Sequence, residues 1–140
     1  MIWLEPVLVA TAVLATDQAS KALVLRAGPH QPGGDRRFVR VRRGLNRHGV
    51  LGSLSPPTLL ALWGTTLVLV TLALCDEAIH RSILGPVGFG AAVGGATGNM
   101  LDRVRLGAIV DFIAIGWWPA FNLADVAIVS GAGLALLSML

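Results

Sequence analysis

Four apolar stretches separated by polar ones set the expected architecture of this chain. They run over about residues 2–25, 57–75, 83–103 and 121–139. Each approaches the roughly 20 residues that an α-helix needs to cross the hydrocarbon core of a bilayer. The pattern predicts an all-α membrane protein of four antiparallel transmembrane helices, built as a single integral-membrane domain over residues 1–140.

The longest polar segment, residues 26–56, is predicted to be a small extramembrane β/loop region between the first two helices. It opens with AGPHQPGGD, whose prolines and glycines cannot continue a helix. In RRFVRVRRGLN, at 36–46, apolar residues and arginines then alternate in part, which is typical of a short strand near a membrane surface. A solvated basic loop is the alternative interpretation.

Composition supports a membrane protein and narrows its partners. Hydrophobic residues make up 54% of the 140 residues and charged residues 14%, which is more apolar surface than a soluble core of this size can hide. The net charge is +3, and most basic residues lie between Arg26 and Arg47, beside apolar spans. Anionic lipid head groups contacting the Arg36–Arg47 segment are therefore the predicted partner, and nucleic acid is not.

The single cysteine, Cys75, forms no disulfide framework within the chain and belongs to no Cys/His metal-ligand spacing. We expect neither a metal nor an organic cofactor.

The first apolar stretch is predicted to be a retained span. A cleaved signal peptide is the alternative, but the stretch lacks a basic start, is too long, and is interrupted by Asp17 and Lys21. These two residues lie one helical turn apart, so each offsets part of the cost of burying the other.

Polar residues gather at one level if the four helices alternate in direction. Asp17 and Lys21 come late in the first span, and Asn122 and Asp125 come early in the fourth. Late in the third span are Asn99, Asp102 and Arg103, and Asp111 lies in the following link. Placing ionisable groups inside a membrane costs free energy, so this convergence indicates a functional site. The simpler interpretation is that the ends of the spans are merely polar.

The paired carboxylates suggest acid/base chemistry. Two nearby carboxylates share a proton, because ionising both would place like charges a few ångströms apart at a high cost in free energy. One then acts as the general base and the other as the general acid. Asp111 and Asp125 are 14 residues apart, so sequence permits their proximity without proving it. A Ser20/Lys21 nucleophile is the rival chemistry, but adjacent helical residues point in different directions.

Three segments resemble signature motifs of the lipoprotein signal peptidases, the type II signal peptidase family. They are TDQASK at 16–21, GGATGNMLDRVRLGAIVDFI at 94–113 and PAFNLADVAI at 119–128. The resemblance implies a four-helix membrane aspartyl protease of the bacterial cytoplasmic membrane, active toward its outer face. Such an enzyme cuts the signal peptide from diacylglyceryl-modified prolipoproteins just before the lipidated cysteine, and we expect it to be a monomer.

The resemblance also implies roles for individual residues. Asp111 and Asp125 would be the catalytic pair. Asn122 would contact the substrate or support a residue that does. Asn99, Asp102 and Arg103 would be supporting polar residues, paired among themselves or with Lys21. Asp17 and Lys21 would be structural or lipid-site residues, and Pro119 would set the start of the fourth helix beside the interfacial Trp117 and Trp118.

Two features depart from the family pattern. The family has an NxGAAF-like motif after the first span, whereas this chain offers NRHGVLG at 46–52, so Asn46 is a weaker candidate for substrate binding. The family topology also puts the arginine-rich segment outside, against the positive-inside tendency. The remaining hypotheses are a catalytically weak member that binds lipidated peptides and a carrier that uses intramembrane carboxylates as a proton relay.

Overall fold

The computed structural model describes residues 3–27, the backbone of residues 39–46, and residues 55–140. Four α-helices make up most of this part of the chain: α1 (Leu4–Arg26), α2 (Pro56–Leu74), α3 (Leu84–Leu106) and α4 (Leu123–Leu137). A short 3₁₀-helix, Glu77–Arg81, precedes α3. The ends of the four helices lie within three residues of the predicted spans.

Two strands form a small antiparallel sheet, and only one of them was predicted. Strand β1 (Val39–Asn46) belongs to the basic segment, as expected, but β2 (Ile109–Ile115) lies between α3 and α4. The prediction of β structure only between the first two helices is therefore corrected, because the stretch expected to be a plain link is a strand. The pairing places Gly44 opposite Asp111, with an irregularity between Val41 and Gly44.

Glycines let α3 lie unusually close to two neighbours. A Cβ on Gly90 or Gly94 would lie 2.5 Å from a backbone oxygen of α1, and one on Gly95 would lie 2.5 Å from the carbonyl oxygen of Ala124 in α4. Side chains at these positions would force the backbones apart. Small residues at helix contacts allow this close approach.

The same contacts fix the relative directions of three helices. Along α3, Gly90 and then Gly94 face Pro6 and then Ala10, so α1 and α3 run parallel. Gly88 faces Ala135 while the later Gly95 faces Ala124, so α4 runs antiparallel to α3. The C-terminal ends of α1 and α3 and the N-terminal end of α4 therefore lie at the same end of the molecule, where β2 also lies.

Length and composition make α1 and the Pro57–Leu74 part of α2 able to cross a membrane, and they are the two helices of the described chain that meet this test. Helix α4 is apolar but shorter. Large apolar side chains point away from the molecule on several helices, among them Leu69 and Leu72 of α2 and Val129 of α4. Such outward apolar faces suit a lipid environment.

The start of α4 differs from the prediction. Asn122, rather than Pro119, sets it: its side chain accepts a hydrogen bond from the Asp125 backbone N–H, and the Asp125 side chain accepts one from the Asn122 backbone N–H. This reciprocal arrangement is a capping box. Pro119 lies in the preceding turn, next to the exposed Trp117 and Trp118, whose rings meet edge to face at 5.6 Å.

Candidate active site

A buried lysine holds α1 and α3 together at the end where the polar residues gather. The ammonium of Lys21 lies 2.8 Å from Asp17 Oδ2 and 2.8 Å from Asp102 Oδ2, and it donates to Asn99 Oδ1 at 3.0 Å. Lys21 is 2% exposed and Asp17 is fully buried. Since an ammonium has three donor hydrogens, these partners use its whole hydrogen-bonding capacity.

Asp17 also connects α1 to the first turn of α4. Its Oδ1 accepts a hydrogen bond from the Ala124 backbone N–H at 3.0 Å. That N–H belongs to the helix end where backbone donors lack partners within the helix, and where the helix dipole favours negative charge. Gly98 makes room for this carboxylate, because a Cβ there would lie 2.6 Å from Asp17 Oδ2. One buried aspartate therefore aligns three helices.

Asp102 connects the cluster of Asp17, Lys21 and Asn99 to β2. Its Oδ2 accepts a hydrogen bond from the Val110 backbone N–H at 3.2 Å. Val110 is fully buried and immediately precedes Asp111. The bond therefore fixes the strand against the end of α3. It also fixes the backbone position from which the Asp111 side chain extends.

Gln18 belongs to the cluster, although the sequence analysis did not single it out. Its Nε2 lies within hydrogen-bonding distance of Asp17 Oδ2 at 3.2 Å, the Gly98 carbonyl at 3.2 Å and Asp102 Oδ1 at 3.0 Å. The signal available in the sequence was its position in TDQASK, directly beside Asp17 and one turn from Lys21.

Asp111 and Asp125 are joined through one residue, Asn122. The Asn122 side-chain amide donates to Asp111 Oδ1 at 2.9 Å, and its backbone N–H donates to Asp125 Oδ2 at 3.1 Å. Asn122 is fully buried and Asp111 is 5% exposed, while Asp125 is more accessible. Two carboxylates on different elements are thus held at the same end of the molecule, one of them partly open to its surroundings.

Asn99 closes the network from the α3 side. Its Nδ2 donates to Asp125 Oδ1 at 2.8 Å, and its Oδ1 accepts from Asn122 Nδ2 at 3.1 Å as well as from Lys21. Asp125 therefore accepts one hydrogen bond on each carboxylate oxygen. It also lies in the first turn of α4, where the helix dipole favours a negative charge.

Two further residues were predicted for the site. The Arg103 guanidinium donates to the Gly107 carbonyl at 3.1 Å, just beyond the C-terminal end of α3. The side chain of Asn46 lies outside the described residues, as do residues 47–54, which include the rest of the NRHGVLG motif. The remaining predicted site residues meet in the network.

Within the described residues, no group of three or more His, Cys, Asp or Glu side chains is arranged to hold a metal ion. The chemistry that the cluster can perform is proton transfer. It offers one carboxylate pair, amide donors that orient both members, and a buried ammonium as counter-charge.

Comparison with known proteins identifies relatives of this chain. The family model for signal peptidase (SPase) II matches residues 9–140. The chain is 36% identical to a lipoprotein signal peptidase of Syntrophotalea carbinolica, over 94% of this chain and 88% of that protein. It is 39% identical to the lipoprotein signal peptidase of Syntrophomonas wolfei over 68% of this chain, and the match spans 64% of that relative's length.

The fold is also found among solved structures. A bacterial membrane enzyme solved by the in meso method at 1.9 Å resolution superposes with a TM-score of 0.79 at 25% identity, covering 96% of this chain and 92% of the other. With the family model matching nearly the whole sequence, the chain belongs to the signal peptidase II family.

Proposed function

We propose that the chain is a lipoprotein signal peptidase in which Asp111 and Asp125 form the acid/base pair. It removes the signal peptide from diacylglyceryl-modified prolipoproteins by cutting just before the lipidated cysteine. The observation that carries this proposal is the bridge through Asn122, which donates to both carboxylates. Family membership and the names of the relatives support the substrate class.

The reaction needs one carboxylate and one carboxylic acid around a water molecule. The carboxylate removes a proton from the water, whose oxygen attacks the carbonyl carbon of the residue before the lipidated cysteine. The carboxylic acid then protonates the cysteine nitrogen as the C–N bond breaks. The products are a signal peptide with a free carboxylate and a lipoprotein with a free amino group, and no covalent enzyme intermediate forms.

The other polar residues have supporting roles in this proposal. Asn99 and Asn122 orient the pair by hydrogen bonds, while Asp17, Asp102 and Lys21 join α1, α3 and β2 behind it. Arg103 supports the end of α3 through Gly107. Asn46 remains a candidate for substrate contact.

We further propose that all four helices cross the bacterial cytoplasmic membrane, with the cluster at its outer face. The lengths of α1 and α2 and the outward apolar side chains support this arrangement. Trp117 and Trp118, which are 87% and 58% exposed beside β2, suit the interfacial zone at that face. The Arg36–Arg47 segment would contact anionic lipid head groups there, and the protein would act as a monomer.

The test is cleavage of a purified lipidated precursor by the wild type, Asp111→Asn and Asp125→Asn. We expect each substitution to lower kcat by on the order of 10²–10⁴-fold, the usual contribution of an acid/base group. At 111, asparagine keeps an oxygen that can accept from Asn122. At 125, asparagine can accept only one of the two bonds, from Asn99 or from the Asn122 N–H, so thermal unfolding of both variants is measured beside activity. Asp76→Asn is the matched control, since that exposed aspartate precedes the 3₁₀-helix, at the other end of α3.

Full activity in either Asp111→Asn or Asp125→Asn would refute the assignment of the pair. A wild type that binds the precursor without cutting it would instead favour a member of the family that binds lipidated peptides.

A further inference from the structure

The side-chain amide of Asn99 is oriented by the charge beside it. An amide can usually be turned by 180° at little cost, because its oxygen and nitrogen are similar in size. Here the Asn99 oxygen faces the Lys21 ammonium at 3.0 Å, and an ammonium can only donate. Turning the amide would set its N–H groups against those of Lys21 and of the Asn122 amide, which also donates to the Asn99 oxygen at 3.1 Å, so the oxygen stays on that side.

This orientation determines what Asn99 presents to Asp125. With its oxygen fixed toward Lys21, the Asn99 nitrogen points to Asp125 Oδ1, to which it donates at 2.8 Å. A turned amide would present an oxygen to that carboxylate, and the two would repel. The Lys21 ammonium therefore supports a hydrogen bond to Asp125 that it does not itself make.

The neighbouring amide is fixed in the same way by a different donor. The Asn122 oxygen accepts from the Asp125 backbone N–H at 3.0 Å, so its nitrogen faces Asp111 Oδ1 and Asn99 Oδ1. The orientation of Asn122 is thus set by a backbone N–H, whereas the Asn99 oxygen accepts from both the Lys21 ammonium and the Asn122 amide. Of these two side-chain donors, Lys21 is the one that can be removed without also losing the bond to Asp111.

We propose that Lys21 is a positioning residue for Asp125, acting through Asn99. This inference rests on the proposed function of Asp125. Beside the Asn122 amide, Lys21 supplies the charged donor that disfavours the turned form of the Asn99 amide, and so keeps an Asn99 N–H aimed at the carboxylate. Its ion pairs with Asp17 and Asp102 hold the ammonium in place for this task.

A double-mutant cycle tests the route through Asn99. The full-length chain is purified in detergent as the wild type, Lys21→Met, Asn99→Ala and the double variant, and cleavage of a lipidated precursor is followed. Misplacing a reacting group costs on the order of 10²-fold, so we expect Lys21→Met to lower kcat by about that factor with KM nearly unchanged. In the Asn99→Ala background, removing Lys21 should cause little further loss.

Removal of a buried ammonium can also unfold the protein, so a charge-matched variant accompanies the cycle. In Lys21→Met with Asp102→Asn, one positive and one negative charge disappear together, while Asn99 still loses its ammonium partner. We expect this variant to fold and to have a lower kcat than Asp102→Asn alone, which keeps Lys21 and carries the same change beside the Val110 N–H. Arg26→Met is the control, because it removes an exposed cation from the last turn of α1 and should leave kcat unchanged.

A second measurement reports the orientation of the Asn99 side-chain amide and requires no catalysis. The side-chain amide signal of Asn99 is identified in ¹⁵N NMR spectra by its loss in Asn99→Ala. We expect one sharp, slowly exchanging pair of signals in the wild type and in Arg26→Met, and broadened or doubled signals in the charge-matched variant. An unchanged Asn99 amide signal in the charge-matched variant would overturn the proposal. So would a double variant whose loss of kcat equals the product of the losses in Lys21→Met and Asn99→Ala.

The two readouts keep this proposal separate from the proposed function. If the wild type cuts no lipidated precursor, the proposed function fails, and the NMR comparison still decides whether Lys21 orients Asn99.

Discussion

Asn122 and Asp111 are joined by a buried hydrogen bond of 2.9 Å from the Asn122 amide to Asp111 Oδ1. The same asparagine caps α4 through a reciprocal pair of bonds with Asp125. The residue that starts the helix therefore also sets the positions of both proposed reacting carboxylates. Helix stability and catalytic geometry are coupled at this one position.

Substitution of Asn122 should separate those two contributions. Serine keeps an oxygen that can cap the helix but has no N–H that reaches Asp111, whereas alanine removes both. Both variants lose the buried contacts of the Asn122 amide with Asp111, Asn99 and Val110, so we expect each to lose about 1–3 kcal/mol of stability. Asn122→Ala should lose about 1 kcal/mol more than Asn122→Ser, because it also lacks the cap. Both should lose activity by a similar factor, measured as kcat on a lipidated precursor beside thermal unfolding in detergent. Full activity in Asn122→Ser would show that the amide bond to Asp111 is dispensable.

Much of the fold follows from local patterns in the sequence. The four apolar stretches predicted helices whose ends lie within three residues of those observed. The spacing of Asp17 and Lys21 predicted their mutual ion pair, which is 2.8 Å long. Both results depend on neighbours along one helix, and such information is present in a single sequence.

The features that were not predicted depend on partners distant in the chain. Strand β2 is extended because it pairs with β1, more than sixty residues earlier, and nothing within IVDFIAI identifies that partner. Gln18 enters the site only because α3 approaches α1 closely enough for Gly98 and Asp102 to receive its amide. The capping role of Asn122 was the exception, since Asn122 followed three residues later by Asp125 is a recognisable helix start.

Gln18 should matter as a donor rather than as a space-filling side chain. Gln18→Glu replaces the amide with a carboxylate of nearly the same volume facing Asp17 and Asp102, whereas Gln18→Ala removes the donor together with most of the side chain. We expect alanine to cost about 1 kcal/mol of stability and glutamate about 1–3 kcal/mol, because buried acceptors then face another acceptor. Thermal unfolding in detergent measures both. Equal stability of the glutamate variant and the wild type would contradict the observed contacts.

Close packing of α3 against α1 should make Gly94 sensitive to a single added carbon. A Cβ there would lie 2.5 Å from the Ala10 carbonyl oxygen, so we expect Gly94→Ala to cost about 1–3 kcal/mol. Gly64 of α2 is the matched control, since a Cβ there meets no atom within 4 Å. Gly64→Ala should be neutral or stabilise the helix by up to about 1 kcal/mol. Similar unfolding temperatures for the two variants would refute this contact between α1 and α3.

Gly44 should govern access to Asp111 from the sheet. The two residues are directly opposite in the antiparallel pair, so a side chain at 44 would rise from the same face as that of Asp111. Glycine places no side chain next to that of Asp111, and we expect an extended substrate segment to lie on this side of the carboxylate. We expect Gly44→Ala to raise KM for the precursor modestly and Gly44→Val to raise it by on the order of tenfold, with kcat affected less.

The graded pair of variants also provides the control for Gly44. Valine favours strands more than glycine does, so the sheet should be kept or strengthened in Gly44→Val, and unfolding temperatures should not fall. A loss of stability that parallels the loss of activity would show that valine had disrupted the sheet, rather than only filling the space beside Asp111. An unchanged KM in both variants would show that the substrate passes Asp111 on another side, away from β1.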